Sequence, residues 1–359
     1  MVDQDDIHHP RHTKALIGHD HIISAIANRD HDRRHHGFIL SGPKGIGKAT
    51  TAYRAAEQLM AAPKETGLFC DDTGHGGVDS DDPNLRLIRA GSHPDIMMVE
   101  GDASKASSGI SVDQIRAIIP FLAHTPSRGD WRVVIIDSLD EMNINGANAI
   151  LKTLEEPPEQ AVIMMIHHQS KPVLPTIRSR AQTLRMNPLG FQDTRNVIAS
   201  LFQEADQDWI DVAAALADGA PGRALLFEQS GAVDLYAETA QMLAGESTDR
   251  LTIDGLASNW GAGGAKNIIL RQMAQMFLLR LLMMAARLAT GKGDDAERPH
   301  LDIEDRAIHQ ICQKHSALQL ADWHQQFQSR FTEAERVNLD AVPIVYDLLE
   351  QLVGKPRSS

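Results

Sequence analysis

Residues 41–50 read Ser-Gly-Pro-Lys-Gly-Ile-Gly-Lys-Ala-Thr, "SGPKGIGKAT". Gly42, Gly47 and Lys48 meet the spacing G-x-x-x-x-G-K-[S/T] of a phosphate-binding loop, but Ala49 stands where the hydroxyl should be. In such a loop, glycines let successive backbone N–H groups converge on an anion. The positive end of the next helix adds to the field, and the lysine neutralises phosphate oxygens. The Ser or Thr ligates Mg²⁺. Ala49 cannot, and the hydroxyl of Thr50 lies about 100° further round a helix. The stretch keeps a cradle and drops a metal ligand. The competing reading is a glycine-rich turn of no consequence.

The flanks favour the cradle. Phe38-Ile-Leu40 is a short apolar run leading into the loop, and Ala49–Ala62 is Ala-rich and helix-favouring, stopped by Pro63. Strand, loop and helix follow in the order that the motif requires. Further on, Asp95–Glu100 ("DIMMVE") predicts a strand, and "SVDQIRAIIPFL" has helical spacing with Ser111 as its N-cap. Arg132–Ile136 predicts a buried strand ending in Asp137. "NINGANAILKTLEEPP" predicts a helix closed by Pro157-Pro158, and Ala161–Ile166 another buried strand. Strands alternating with helices predict an α/β fold with a parallel sheet. After Pro188 helical periodicity takes over to Val353, with a turn at Gly219-Ala-Pro-Gly222 and loops at 261–265 and 291–299. We place domain boundaries near 188 and 235, which gives an α/β domain over 1–188, a small helical domain over 189–235 and an all-α domain over 236–359.

Composition sets limits on function. The 359 residues carry 42 % hydrophobic and 23 % charged side chains, ordinary for a soluble globular protein. The net charge of -13, from 48 acidic against 35 basic residues, argues against a stand-alone DNA binder, whose phosphate contacts need clustered Lys and Arg. Two cysteines, Cys70 and Cys312, provide no disulfide framework, and Met1–Asp6 lacks the apolar core of a secretory signal, so a reducing cytoplasm is expected. The most apolar stretch, Ile268–Ala289, is interrupted by Arg271, Arg280 and Arg287. It reads as a buried or partner-facing helix rather than a membrane span.

Four further groups of residues carry candidate chemistry. Asp137, ending a strand beside the loop, has the place of a carboxylate that holds the Mg²⁺ shell. Ser138 follows it where many ATPases place a Glu that orients water, and Asp140 and Glu141 are expected to point elsewhere. Arg178 and Arg180 in "TIRSRAQ" follow a Pro-rich linker. Either is the kind of arginine that reaches a γ-phosphate in a neighbouring subunit, or else a solvated ion pair. Arg223 in "GAPGRAL" opens a predicted helix and is a candidate nucleotide sensor. The histidines His8, His9, His12, His19, His21, His31, His35 and His36 have metal-like spacing without a cysteine partner, and read as solvated or locally bonded.

The order "GPKGIGKAT … SHPDI … RVVIIDSLDEMNINGANAILKTLEEPP … TIRSRA … GAPGRAL" resembles the clamp-loader branch of the AAA+ ATPases, over about residues 12–235. "NAILKTLEEPP" (Asn148–Pro158 within it) and "SRA" (Ser179–Ala181) are the most telling, the latter with Ala181 where a cysteine is usual. The resemblance implies an AAA+ P-loop α/β domain, a small helical lid and a helical collar that oligomerises. It also implies a subunit of the DNA polymerase holoenzyme that helps open a sliding clamp and close it around primed DNA. Its partners would be motor subunits of the tau/gamma type and a delta subunit, with the clamp and DNA met through the complex and no membrane. Carried over by motif, Gly42, Pro43, Lys44, Gly45, Ile46, Gly47, Lys48, Ala49, Thr50, Asp137 and Arg223 form a degenerate nucleotide site. Arg180 becomes an arginine finger acting in trans. With Ala49 and Ser138 both lacking the usual oxygens, no ATPase turnover of its own is expected. No cofactor is required, and ATP or ADP would bind weakly at most. Relatives of this branch carry four zinc-binding cysteines before the His-Pro-Asp segment. Here those positions are Cys70, Asp79, Asp82 and Leu85, so no metal site is expected, even with His75 nearby.

Overall fold

The computed structural model describes residues 9–13, 16–27, 35–61, 82–101, 109–246, 249–264, 267–291, 301–337 and 339–354. Contacts divide the chain into two compact units: residues 1–201 with 219–221, and residues 202–218 with 222–359.

The first unit is built on a parallel five-stranded sheet in the order β2-β3-β4-β1-β5. Its strands are β1 (Gly37–Ser41), β2 (Ile96–Glu100), β3 (Arg132–Asp137), β4 (Ala161–His167) and β5 (Gln182–Arg185). Every residue of β1 and β4 is buried, and β3 is buried up to Asp137. This is the reason these strands read as unbroken apolar runs: a central parallel strand has helices over both faces. In register, Ile39 lies opposite Met165 and Thr183, and Val134 opposite Ile163. Alternation along the strands sorts the core into two layers. One holds Phe38, Leu40, Val133, Ile135, Met164 and Ile166 with Leu59 and Ile22. The other holds Ile39, Val134, Ile136, Ile163 and Met165 with Ile115, Ile150 and Leu154.

Around the sheet lie α1 (Asp20–Ala27), α2 (Lys48–Met60), α3 (Pro83–Arg89), α4 (Val112–Ala123), α5 (Ile144–Glu155), α6 (Pro175–Arg178) and α7 (Phe191–Leu201). Ser111 caps α4 as expected, within a full capping box with Gln114. Asn143 caps α5 by accepting from the Gly146 N–H at 2.9 Å. Three elements were not foreseen. α1 sits in the His-, Asp- and Arg-rich lead-in, with Ile22, Ile23 and Ile26 on one buried face. α3 starts at the Asp82-Pro83 pair, a side-chain cap followed by Pro at the first helical position. β5 is an edge strand with alternate residues exposed.

The second unit is helical in its described residues: α8 (Gln207–Ala217), α9 (Arg223–Ser230), α10 (Ala232–Leu243), α11 (Arg250–Gly261), α12 (Ile268–Ala289), α13 (Asp302–Lys314), α14 (Ala317–Arg336) and α15 (Val342–Val353). α12 is long and apolar enough to cross a membrane by length and composition. In this fold it is a core helix. Phe277, Leu278, Leu281 and Leu282 are fully buried, and the Phe277 ring meets Phe227, Tyr236 and Trp260 edge-on. Its Arg280 reaches the buried Glu304 at 3.3 Å, and the Tyr236 hydroxyl donates to the same carboxylate. The α/β class, with its parallel sheet and the helical remainder of the chain, is the one expected from the sequence.

Candidate functional site

The loop after β1 is the expected strand-to-helix turn. Gly45 and Gly47 take positive φ, 92° and 90°, a conformation that costs a side-chain-bearing residue energy. Gly42 is required by space: a Cβ there would lie 2.4 Å from the Met186 carbonyl oxygen and 2.5 Å from Ile46 Cδ1. The Gly42 N–H donates to the His167 carbonyl at 3.2 Å, Ile46 is buried, and its carbonyl contacts His19 Nε2 at 3.2 Å. The loop is thus tied to the ends of β4 and β5 and to the start of α1.

Lys48, the first residue of α2, is buried. It donates to the carbonyls of Gly42 at 2.8 Å and Pro43 at 2.6 Å, on its own loop. Burial pushes its ammonium down to about 8, with Asp137 and Asp140 working the other way. Ala49 packs against the core, Thr50 is buried, and the Thr51 hydroxyl donates back to the Gly47 carbonyl at 2.9 Å. None of these side chains puts a hydroxyl at position 49.

Asp137 ends β3 with its carboxylate 3.4 Å from His168 Nε2, just past the end of β4. Ser138 is buried, and its hydroxyl has no hydrogen-bond partner among the described residues. Asp140 does not simply point away from the site; it fixes the loop after β4. Its carboxylate accepts from the backbone N–H of His168 (2.6 Å), Ser170 (2.9 Å) and Lys171 (3.2 Å) and from the Ser170 hydroxyl (2.6 Å). Burial alone would raise its pKa; the bonds from Ser170, His168 and Lys171, with His167 nearby, prevail and hold it down at about 2. A second strut joins β1 to the same loop. His167 Nε2 lies 2.8 Å from the Lys171 carbonyl, so it must donate. In the neutral ring Nδ1 then accepts from the Ser41 hydroxyl at 3.0 Å.

For Mg²⁺ the donor set does not fit the phosphate-loop arrangement: position 49 offers a methyl group, position 138 a serine, and the Asp137 carboxylate already faces His168. The glycines and Lys48 retain the shape of an anion cradle, but the Lys48 ammonium is spent on loop carbonyls.

The arginines are placed as follows. Arg180 sits exposed between α6 and β5. Its Nη2 lies 2.5 Å from Glu155 Oε1, and Nη1 donates to the Thr176 carbonyl at 2.9 Å and the Ser179 hydroxyl at 3.2 Å. Arg178 is also exposed, as the last residue of α6. Arg223, in the second unit, donates to the Ala217 carbonyl at 3.1 Å and so satisfies the C-terminal end of α8. Burial lowers its pKa, and Asp218 opposes that. Of the histidines, His19 is a buried strut rather than a solvated group, His36 Nδ1 lies 3.0 Å from the Ala161 carbonyl, and the His9 ring meets Tyr53 edge-on. His8 and His31 lie outside the described residues, as do Cys70, His75 and Asp79 of the candidate zinc loop. Asp82 is the N-cap of α3 and Leu85 is core. Among the described residues no His, Cys, Asp and Glu cluster could hold a metal. Sequence reasoning missed His168 opposite Asp137 and Asp140 under the 168–171 loop; no local pattern signals either.

The family described as DNA polymerase III, delta subunit, matches residues 18–190. A DNA polymerase III subunit delta' from Pseudomonas aeruginosa is 29 % identical over 227 residues, 63 % of this chain and 66 % of that protein. A DNA polymerase III subunit tau from Escherichia coli is 29 % identical over 190 residues, 53 % of this chain and 27 % of that protein. The chain thus spans less than two thirds of these relatives' lengths. Among solved structures, a DNA polymerase III gamma subunit-related protein from Thermotoga maritima aligns with a TM-score of 0.40 at 17 % identity, over 93 % of this chain and 98 % of that one.

Proposed function

Over residues 18–190 the chain belongs to the DNA polymerase III delta subunit family, and from that premise we propose that it is the delta-prime subunit of a clamp loader. In this reading it is a cytoplasmic subunit of a hetero-oligomer with tau/gamma motor subunits and a delta subunit. It meets the sliding clamp and primed DNA through that complex. Residues 1–188 form its nucleotide-type domain, 189–235 a lid and 236–359 a collar. It does not turn over ATP itself. The observation that supports this best is chemical: positions 49 and 138 lack the metal-ligating hydroxyl and the water-orienting carboxylate, while Asp137 faces His168. A pocket so equipped lacks the hydroxyl that would hold Mg²⁺ and the carboxylate that would orient water. The cradle from Gly42 to Lys48 would hold ATP or ADP weakly at most. Its contribution to turnover is Arg180, offered from an exposed corner to the neighbouring motor site.

The test is ATP hydrolysis by a reconstituted complex of motor subunits, delta and this chain, in which the motor adjacent to this chain carries the competent site. Arg180→Ala should leave assembly intact on gel filtration and slow hydrolysis at least tenfold; arginine fingers elsewhere are worth about 10³–10⁵. Unchanged hydrolysis would remove the role. The rival reading is an ATP-hydrolysing motor of the tau/gamma type, favoured by the tau relative. It requires steady-state hydrolysis by the lone chain that Lys48→Ala abolishes.

A further inference from the structure

The geometry points to Glu155 as a positioning residue for Arg180. The inference rests on the trans role proposed for that arginine and adds what aims it. Two neighbouring pairs of residues meet where α5 ends and β5 begins. Leu154 and Ala181 pack into the same core layer. Both stand beside Gly37 at the start of β1: a Cβ on Gly37 would lie 2.8 Å from Leu154 Cδ2, 3.4 Å from Ala181 Cβ and 3.6 Å from the Arg180 carbonyl oxygen. That close packing sets the backbone at 154 and 181. The residue beside each, Glu155 and Arg180, therefore emerges at the surface next to the other, and their charges meet at 2.5 Å.

The grip on the guanidinium is specific. Nη1 spends its two protons on the Thr176 carbonyl and the Ser179 hydroxyl, and Nη2 forms the ion pair with Glu155 Oε1. The hydrogen bonds recorded for the group are on Nη1, which leaves Nε and Nη2 as the side of the fork with which arginine grips oxyanions. Thr176 and Ser179 lie within four residues of Arg180, so among the described residues it is Glu155 that ties the group to a separate element. A long side chain held in place beforehand loses less rotamer freedom when it docks. The pair is partly exposed, 34 % for Arg180 and 47 % for Glu155. Exposed ion pairs add little to stability, so the role shows in turnover rather than in folding.

The experiment is a double-mutant cycle in the reconstituted complex, reading ATP hydrolysis at saturating ATP, KM and melting temperature. Glu155→Ala should lower kcat three- to tenfold with KM and melting temperature unchanged. Glu155→Gln, whose amide oxygen still accepts, should recover at least half of the lost rate. Glu155→Ala added to Arg180→Ala should cost nothing more. If Arg180→Ala slows hydrolysis but Glu155→Ala does not, or if the two losses multiply, Glu155 does not position the arginine and the inference falls alone. If Glu155→Ala speeds hydrolysis, the pair restrains the arginine and the inference is reversed. If Arg180→Ala has no effect, the underlying reading falls as well.

Discussion

Asp140→Asn is the substitution that most directly tests how the site is held. The carboxylate is buried and accepts four bonds from the 168–171 loop, three on Oδ1 and one, from the His168 N–H, on Oδ2. Asparagine keeps the volume and the oxygen on the three-bond side. It then turns an NH₂ toward the His168 N–H, so that two donors face each other and a backbone donor goes unsatisfied, at about 1–3 kcal/mol. The charge adds a second contribution. The folded-state pKa is held at about 2, below the ordinary 3.8, which corresponds to about 2 kcal/mol of stability present above pH 4. That part is lost as pH falls through the folded value, about half of it by pH 3. The two contributions overlap, because the same loop bonds hold the pKa down, so at pH 7 the variant should be about 2–4 kcal/mol less stable, with the difference shrinking below pH 4. Urea unfolding followed by circular dichroism between pH 3 and 7 measures this. Amide exchange adds a local readout: the N–H groups of His168, Ser170 and Lys171 should lose protection before those of β4. A variant within about 0.5 kcal/mol of the parent at pH 7, or with the same acid dependence, would refute the account.

Lys48 has a depressed folded pKa, so between pH 8 and 10.5 the unfolded chain binds more protons than the folded one. Stability should therefore rise with pH across that window relative to Lys48→Met, by up to about 3 kcal/mol, and the difference between the two unfolding curves checks it. Tyr53, pushed by burial up to about 12, acts oppositely above pH 10 and is common to both proteins. Arg280→Ala should cost about 3–5 kcal/mol in denaturant unfolding, because it removes the guanidinium 3.3 Å from the buried Glu304 carboxylate. Gly42→Ala forces a methyl group to within 2.4 Å of a backbone oxygen, and differential scanning calorimetry should show a melting temperature at least about 4 °C lower.

What could be read from the sequence was what local chemistry decides. The central strands announce themselves because burial on both faces demands continuous apolar residues, as in Arg132–Ile136 and Ala161–Ile166. Ser111 and Gln114 give away the start of α4 because cap and helix are three residues apart. β5 escaped because Gln-Thr-Leu-Arg at a sheet edge needs no apolar run. α1 escaped because its three isoleucines are surrounded by the charged lead-in, and α3 because its Asp82-Pro83 start closes an acidic, Gly-rich stretch with no apolar run. The contacts that shape the site are all distant in sequence: Asp140 with 168–171, Ser41 with His167, Glu155 with Arg180. No periodicity or spacing rule reports on such pairs, since they depend on which strands become neighbours.

The same contacts explain why a chain can keep a cradle without its metal-ligating hydroxyl. Gly42 is the residue that fits under the Met186 carbonyl, and its N–H is bound to β4. Gly45 and Gly47 supply the two positive-φ turns that bring the chain from β1 into α2. Ile46 is buried, and its carbonyl meets His19. Lys48 gathers two carbonyls that the curled loop turns inward, groups that would otherwise be buried without a donor. Each retained residue therefore closes a contact within the first unit, and replacing it would cost folding energy whether or not a nucleotide ever binds. Position 49 makes no such polar contact: the Ala49 methyl group packs against the core of the first unit. The loop's glycines, Ile46 and Lys48 are therefore bound into the fold of the first unit by their own contacts, and position 49 is the one where the motif's oxygen is missing.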